Sequence, residues 1–174
     1  LLDVGKLDGM IAYGGSLGSA MATRIMQTLP VGMPKIMLST MASGDCRPYV
    51  GTKDICMWNP IAEVGLNAVT MRVLSAAAGA VVGAATSPPP TVTPKPLLGC
   101  TMFGTTTPCV KAASKPLEDK GYDLMTVHAV GSGGKSLEEL IRDRYIIAML
   151  DITTHEITDE ICGGDLTAGP DRLT

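Results

Sequence analysis

Five times along this chain a short apolar run ends in a loop of small polar residues, and a helical pattern begins beyond it. The runs are Met10 to Tyr13, Lys35 to Leu38, the stretch that opens at Leu97, Asp123 to Ala129 and Ile146 to Leu150. Their loops are Gly14-Gly15-Ser16, Ser39 to Gly44, Thr101 to Thr107, Gly131 to Gly134 and Asp151 to Thr154. Strands alternating with helices specify an α/β fold with a mostly parallel sheet and helices on both faces. Right-handed crossovers gather the strand-to-helix loops on one sheet edge, where ligands bind in such folds. The stretch Leu97 to Val110 is the fullest example: Thr107 is placed as an N-cap and Pro108 as the first helical residue. A helix start just past a strand turns free N–H groups and a positive dipole end outward, which suits phosphate.

Between Thr86 and Pro96, five prolines in eleven residues exclude a helix or a central strand and mark a linker. The expected organisation is therefore two Rossmann-like subdomains, 1–86 with a long helix and 97–174, joined by 87–96, their loop-bearing edges facing a shared cleft. Leu1 to Lys6 reads as the tail of an element already under way, and no closing strand follows Asp171, so both subdomains are expected to be incomplete at their outer ends. Leu17, Met21, Ile25 and Leu29 form one apolar stripe of a first helix, stopped by Pro30, Gly32 and Pro34. A long helix is expected from Asn59 or Pro60 through Ile61, Val64, Ala68, Met71, Leu74, Ala78 and Val81, packed on most sides; Cys46 to Lys53 reads as irregular. Later helices turn Val110, Ala113 and Leu117, then Leu137, Leu140 and Ile141, then Ile157 and Ile161 inward. Pro116 should kink or shorten the first of these. Ser136 with Glu139, and Thr153 with Glu156, have capping-box spacing.

Apolar residues make up 45% of the 174 and charged residues 18%, so the chain can bury a core. Aromatics are only 3% against 11 Met, which makes that core aliphatic and Met-rich. A net charge of −3 with no basic stripe leaves no footprint for nucleic acid. Five cysteines without a C-x-x-C pair argue for reduced thiols and a cytoplasmic setting, not for a disulfide framework or zinc ribbon. The longest apolar run, Val73 to Ala85, is short for a membrane span, and no secretory leader is expected.

The candidate ligand-binding residues lie in four of the loops. Gly14, Gly15, Ser16 and Gly18 open the first helix as a phosphate loop would. Ser39, Thr40, Ser43 and Gly44 either contact phosphate or ribose or form a turn that satisfies its own backbone. Thr101, Gly104, Thr105, Thr106 and Thr107 make the strongest anion site. Gly131, Ser132, Gly133, Gly134 and Lys135 offer backbone amides and a cation. Ala129 to Ser136 comes close to the P-loop pattern G-x-x-x-x-G-K-[ST], with Asp151 ending the next strand as a Walker B acid would, so a P-loop NTPase is a rival reading. Asp151, His155 and Asp159 are spaced as metal ligands but read more simply as dipole and capping partners. His128 is either a hydrogen-bonded core residue or a base. Cys109 is either a thiol activated by a helix start or a buried one. Arg47 and the pair Lys53-Asp54 either reach the cleft or form solvated surface pairs.

Six motifs occur here in one order: Gly-Gly-Ser-Leu-Gly-Ser, Ser-Thr-Met-Ala-Ser-Gly-Asp, Tyr-Val-Gly-Thr-Lys-Asp, Thr-Met-Phe-Gly-Thr-Thr-Thr-Pro, Gly-Ser-Gly-Gly and Asp-Ile-Thr-Thr-His-Glu. The series resembles the ATP-binding family typified by the tomato mosaic virus resistance protein, found in plants, fungi and bacteria, and covers nearly the whole chain except the linker. The resemblance implies two Rossmann-like subdomains, ATP binding and self-association, and that family is not of P-loop type. The chain departs from the family pattern at Leu17 (usually Gly), Ser19 (usually Thr), Lys135 (usually Arg) and His155 (usually Thr).

The leading expectation is thus an ATP-binding module, with Mg²⁺ arriving on the nucleotide, that works through homo-oligomerisation (a dimer) or a protein partner and has no evident nucleophile–base pair. The alternative is an enzyme acting on a small phosphorylated or carboxylated metabolite in the inter-subdomain cleft, with His128, Asp151 and Lys135 as acid–base candidates. A third is a purely structural oligomerisation domain.

Overall fold

The computed structural model describes residues 5–63 and 65–172. The chain divides into two compact units between Pro90 and Thr91. Each unit carries a three-stranded parallel sheet with helices, an α/β architecture consistent with two Rossmann-like subdomains.

The first unit runs β1 (Met10–Tyr13), α1 (Ser16–Met26), β2 (Lys35–Leu38), a 3-10 turn (Thr40–Ser43), α2 (Arg47–Val50), β3 (Cys56–Trp58) and α3 (Ala68–Thr86). The strand order is β1-β2-β3, with Ala12 beside Met37 and Met37 beside Met57. Central β2 is buried throughout, and its alternating side chains feed two cores. Ile36 and Leu38 meet Ala77 and Val81 of α3 on one face, while Met37 meets Met26 and Ile55 on the other. Strand β3 is an element that the sequence reading lacked; it is three residues long and follows the 46–53 segment, which is not irregular throughout but carries the one-turn helix α2 with Pro48 in its first turn.

Two helices in this unit differ from expectation. The stripe Leu17, Met21 and Ile25 of α1 faces outward, and Ser19, Thr23 and Met26 are the buried residues. Hydroxyls explain the reversal. Ser19 Oγ donates to the Gly15 carbonyl at 2.8 Å and to Ser39 Oγ at 2.6 Å, and Thr23 Oγ1 donates to the Ser19 carbonyl. Small, internally bonded side chains can therefore face the sheet with their polar groups satisfied. Helix α3 begins at Ala68, a full two turns later than the apolar rhythm suggested. Asn67 caps it, its side chain accepting the Val69 and Thr70 N–H groups while Thr70 Oγ1 accepts the Asn67 N–H. Upstream, Ile61 has φ 72°, a left-handed conformation that a β-branched residue enters only under constraint; Val64 lies outside the described residues. Nor is α3 packed on most sides. Thr70, Ala77 and Val81 are buried, whereas Val69, Met71 and Val82 are exposed, because the helix lies along one face of a narrow sheet. By length and composition α3 could cross a membrane, and 11% of that window is buried; its buried residues Ala77 and Val81 pack on β2.

Lys35 enters the interior at the start of β2. Its ammonium group donates to the carbonyls of Pro30 (2.8 Å) and Met33 (2.7 Å) and pairs with Asp54 at 2.8 Å. Burial pushes the Asp54 carboxyl up, but the Lys35 ammonium and the Gly32 N–H outweigh it and hold the group below the usual range.

The second unit runs β4 (Leu97–Met102), a 3-10 turn (Gly104–Thr106), α4 (Thr107–Asp119), β5 (Asp123–His128), α5 (Ser132–Arg142), β6 (Ala148–Leu150) and α6 (His155–Cys162). Its order is β5-β4-β6, so the chain goes from β4 to one neighbour and then crosses to the other. This makes the β4–β6 gap a topological switch point. Helix α4 starts one residue earlier than the cap reading placed it: Thr107 is already helical, its hydroxyl donating to the Phe103 carbonyl. Pro116 is accommodated, and α4 runs on to Asp119. Helix α5 starts a turn before Ser136, whose hydroxyl donates back to the Ser132 carbonyl instead of forming a capping box. Leu137 is buried as expected, but Ile141 is exposed. In α6 the inward residue is Glu156, and Ile161 faces solvent.

Candidate functional site

In the first unit Gly14, Gly15 and Ser16 leave the end of β1 and start α1, as the motif requires. The Gly14 N–H is used by the Leu38 carbonyl, which ties the loop to β2. A Cβ on Gly14 would come within 3.0 Å of Gly18 Cα, so the loop and first helical turn are in close contact. Ser16 and Leu17 are exposed, and the first amides of α1 have no intrahelical acceptor by the geometry of a helix start. In the next loop Ser39 is buried, receiving the Ser19 hydroxyl and the Met41 N–H. Ser43 Oγ donates to the Thr40 carbonyl and the Gly44 N–H to the Met41 carbonyl, so this turn largely satisfies itself. Thr40 differs: its hydroxyl reaches out to Glu63 Oε1 at 2.8 Å.

Glu63 belongs to the segment between β3 and α3, which folds back over the edge of the first sheet. The Tyr13 hydroxyl holds this segment by donating to the carbonyls of Ala62 (3.1 Å) and Glu63 (2.5 Å). Beneath it lies a cavity of about 440 Å³ lined by Tyr13, Pro60, Ala62, Leu66, Thr70 and Leu74 among others. That volume lies within the range of small-molecule sites, and the walls are mostly apolar. A small recess of about 20 Å³ adjoins it, lined by Gly14, Gly15 and Thr40 and sharing Tyr13, Pro60 and Glu63 with the larger cavity. Sequence reading missed both Tyr13 and Glu63, because their roles depend on a loop return 50 residues away in the chain.

In the second unit the carboxyl ends of β4 and β6 are knitted together. Buried Thr101 donates to Asp151 Oδ1 at 2.6 Å and accepts the Thr153 N–H at 3.0 Å. Thr106 Oγ1 accepts the Phe103 N–H and shares a hydrogen bond with Thr153 Oγ1 at 2.7 Å. Thr153 is thus a cross-strand tie and not half of a capping box. Gly104 and Thr105 remain exposed at the start of α4. Two buried polar atoms here, Asp151 Oδ2 and His155 Nε2, have no hydrogen-bond partner among the described residues. The Phe103 ring lies between two imidazoles, 5.0 Å from His128 and 4.6 Å from His155. His128 is exposed at the strand end and not part of the core; Cys109 is exposed also. Burial, with Asp151 and Cys109 adding to it, pushes the Cys100 thiol up.

The loop Gly131 to Gly134 already holds an anion of its own. Glu156 Oε1 accepts the N–H groups of Gly131 (2.6 Å) and Gly134 (3.1 Å), and Arg172 Nε donates to Glu156 Oε2 at 3.0 Å. The amides that a P-loop would turn to phosphate therefore hold a carboxylate. Close approach requires the glycines: a Cβ on Gly133 would lie 1.9 Å from the His128 carbonyl oxygen, and Gly131 has φ 82°. Ser132 and Lys135 stay exposed. Arg172 also reaches Asp151 (3.0 Å) and Glu138 (3.3 Å), so one guanidinium balances three carboxylates. Among the described residues no cluster of three or more His, Cys, Asp or Glu side chains could hold a metal. Arg47 pairs with exposed Asp45, a solvated surface contact.

Comparison with known proteins places this architecture. Residues 1–90 match the N-terminal domain, and residues 95–174 the C-terminal domain, of an uncharacterised protein family, UPF0261. A UPF0261 protein of Clostridium tetani is 47% identical over 96% of this chain, and one of Mesorhizobium japonicum is 45% identical over 94%. The ToMV resistance protein Tm-1(GCR237) of Solanum lycopersicum is 39% identical over 98% of this chain. The chain spans about two fifths of the length of the two bacterial relatives (42% and 41%) and 24% of the tomato protein. With matches to both domains and relatives at this identity, the chain belongs to the UPF0261 family.

Proposed function

We propose that this chain is a nucleotide-binding module, with ATP as the nucleotide, and that it acts through assembly with itself or with a protein partner. The observation that carries the reading is in the first unit, where Gly14 and Gly15, just before α1, line a recess that shares Tyr13, Pro60 and Glu63 with the 440 Å³ apolar cavity. Phosphate oxygens would take the exposed amides of the Gly15–Gly18 turn, where the helix dipole favours negative charge. The base would lie against Tyr13, Leu66 and Leu74, with Pro60 and Thr70 closing the walls. Mg²⁺ would travel on the phosphates and water, the usual mode for this ion beside a nucleotide. Self-association is supported by the apolar side chains left bare on α1 (Leu17, Met21, Ile25) and α3 (Val69, Met71, Val82). The test is thermal unfolding with and without Mg-ATP. A ligand at a hundred times its Kd stabilises by about 2.7 kcal/mol, so the melting point should rise by several degrees; no rise at millimolar Mg-ATP refutes the proposal.

One observation favours an enzymatic reading. Two buried polar atoms without partners among the described residues, Asp151 Oδ2 and His155 Nε2, sit by the switch point of the second sheet, where a substrate in an α/β fold would bind. Under that reading Asp151 and His128 would handle protons on a small phosphorylated or carboxylated metabolite. ATP turnover that persists after His128→Ala would count against the histidine's part.

A further inference from the structure

Glu63 lies where two differently lined spaces meet. It faces the apolar cavity with Tyr13, Leu66 and Leu74, and it also faces the small recess with Gly14, Gly15 and Thr40. Its backbone carbonyl is fixed by the Tyr13 hydroxyl and its side chain by the Thr40 hydroxyl. An Oε1 placed 3.9 Å from where a Gly15 Cβ would stand puts the carboxylate at the rim of the glycine turn. A nucleotide that spans the two spaces, with its base in one and its phosphates on the α1 amides, has its sugar at this junction. An ionised carboxylate only accepts hydrogen bonds, about four in all, and Thr40 takes one.

Resting on the nucleotide reading above, the geometry points to Glu63 as the residue that recognises the ribose diol. The carboxylate accepts the 2′ and 3′ hydroxyl protons, and it repels any ligand carrying a phosphate on the sugar edge. The site therefore selects ribonucleotides over 2′-deoxyribonucleotides. Thr40 aims the carboxylate, and the Tyr13 hydroxyl holds the segment that delivers it. A hydrogen bond from a neutral hydroxyl to a charged acceptor contributes about 1.5–3 kcal/mol, so loss of the 2′ hydroxyl should weaken binding by tenfold or more.

The experiment is titration calorimetry of the intact chain with Mg-ATP and with Mg-2′-deoxy-ATP, repeated on Glu63→Gln and Glu63→Ala. Native protein should bind ATP at least tenfold more tightly than the deoxy compound. Both variants should bring the two ligands within about twofold of each other by weakening ATP alone. Equal binding of ATP and deoxy-ATP by the native protein, which needs no variant, overturns the assignment while leaving nucleotide binding intact. Variants that tighten both ligands alike also overturn it, since the carboxylate would then be acting only by repelling phosphate. Absence of binding for either nucleotide overturns the underlying reading and the assignment together.

Discussion

Replacing Arg172 by Met should unfold the second unit's loop architecture at a cost that its surroundings allow to be worked out. The guanidinium is 2% exposed and donates to Glu156, itself fully buried, at 3.0 Å; it also contacts Asp151 at 3.0 Å and Glu138 at 3.3 Å. Met keeps most of the volume, so the cavity contribution is small and the charge contribution dominates. What remains is a buried Glu156 carboxylate whose donors among the described residues are two glycine amides, with two further carboxylates nearby. Breaking a buried pair by deleting one partner costs about 3–5 kcal/mol, and three partners place Arg172→Met at the upper end. Adding Glu156→Gln to the variant should recover about 1–3 kcal/mol through coupling, because the stranded charge is then gone. Urea unfolding by circular dichroism measures the total. Hydrogen exchange at the Gly131 and Gly134 amides locates it, since both protons are held by Glu156 Oε1. Arg172→Met within about 1 kcal/mol of the native chain, with unchanged exchange at both glycines, would refute the idea that this cluster holds the loop closed.

Three further outcomes follow from single contacts. Asp54 has its folded carboxyl value lowered by Lys35 and Gly32. Its stabilising contribution is thus complete above the unfolded value of about 4 and lost as pH falls through the lowered folded value; Lys35→Met should cost about 2 kcal/mol near neutrality and weaken that acid-side dependence in pH-resolved melting, the Gly32 N–H keeping its share. Gly133→Ala should destabilise the second unit by at least about 3 kcal/mol, because no rotamer can move a Cβ away from the His128 carbonyl; urea melts measure it. Ser16→Asp, at the exposed first position of α1, should stabilise the free protein by about 0.3–1 kcal/mol through the helix dipole while weakening Mg-ATP binding at least tenfold, two opposite signs read by melting and calorimetry.

The strands were legible wherever a short apolar run was bounded by turn residues, and β1, β2, β4, β5 and β6 fall where those runs lie. Helix faces were less legible, for a physical reason. In α1 the apolar stripe at i, i+4 and i+8 is exposed and a Ser–Thr face is buried, because hydroxyls that bond back to the preceding turn cease to be polar as far as the sheet is concerned. The start of α3 was misplaced because Asn67 competes for the backbone as a cap, and apolar periodicity carries no information about capping. Buried Glu156 was invisible for the same reason as Glu63, since its partners lie far along the chain; Lys35 is held by the nearby Pro30 and Met33 carbonyls as well as by Asp54, and a strand pattern carries no information about such a turn. A signal existed for Glu156, an acid in the first turn of a predicted helix, but it was assigned to its own helix and not to a neighbouring loop.

The two glycine turns show why a motif alone does not identify an anion site. Both Gly14-Gly15-Ser16 and Gly131-Ser132-Gly133-Gly134 connect a strand to a helix, and each start of a helix offers amides to something negative. In the second, the protein supplies the anion itself: Glu156 is buried, is held by two amides and is neutralised by Arg172. An external phosphate would have to displace a carboxylate together with its counter-ion, leaving three acids around one arginine. In the first, the nearby acid is Glu63, which is exposed, bonded to Thr40 and not to the glycine amides, and stands beside a cavity instead of plugging the turn. The difference between a turn that can receive a ligand and one that cannot therefore lies in which oxygen its amides already hold. Loop sequence decides that the amides converge; only the remote acid decides whether they are still free.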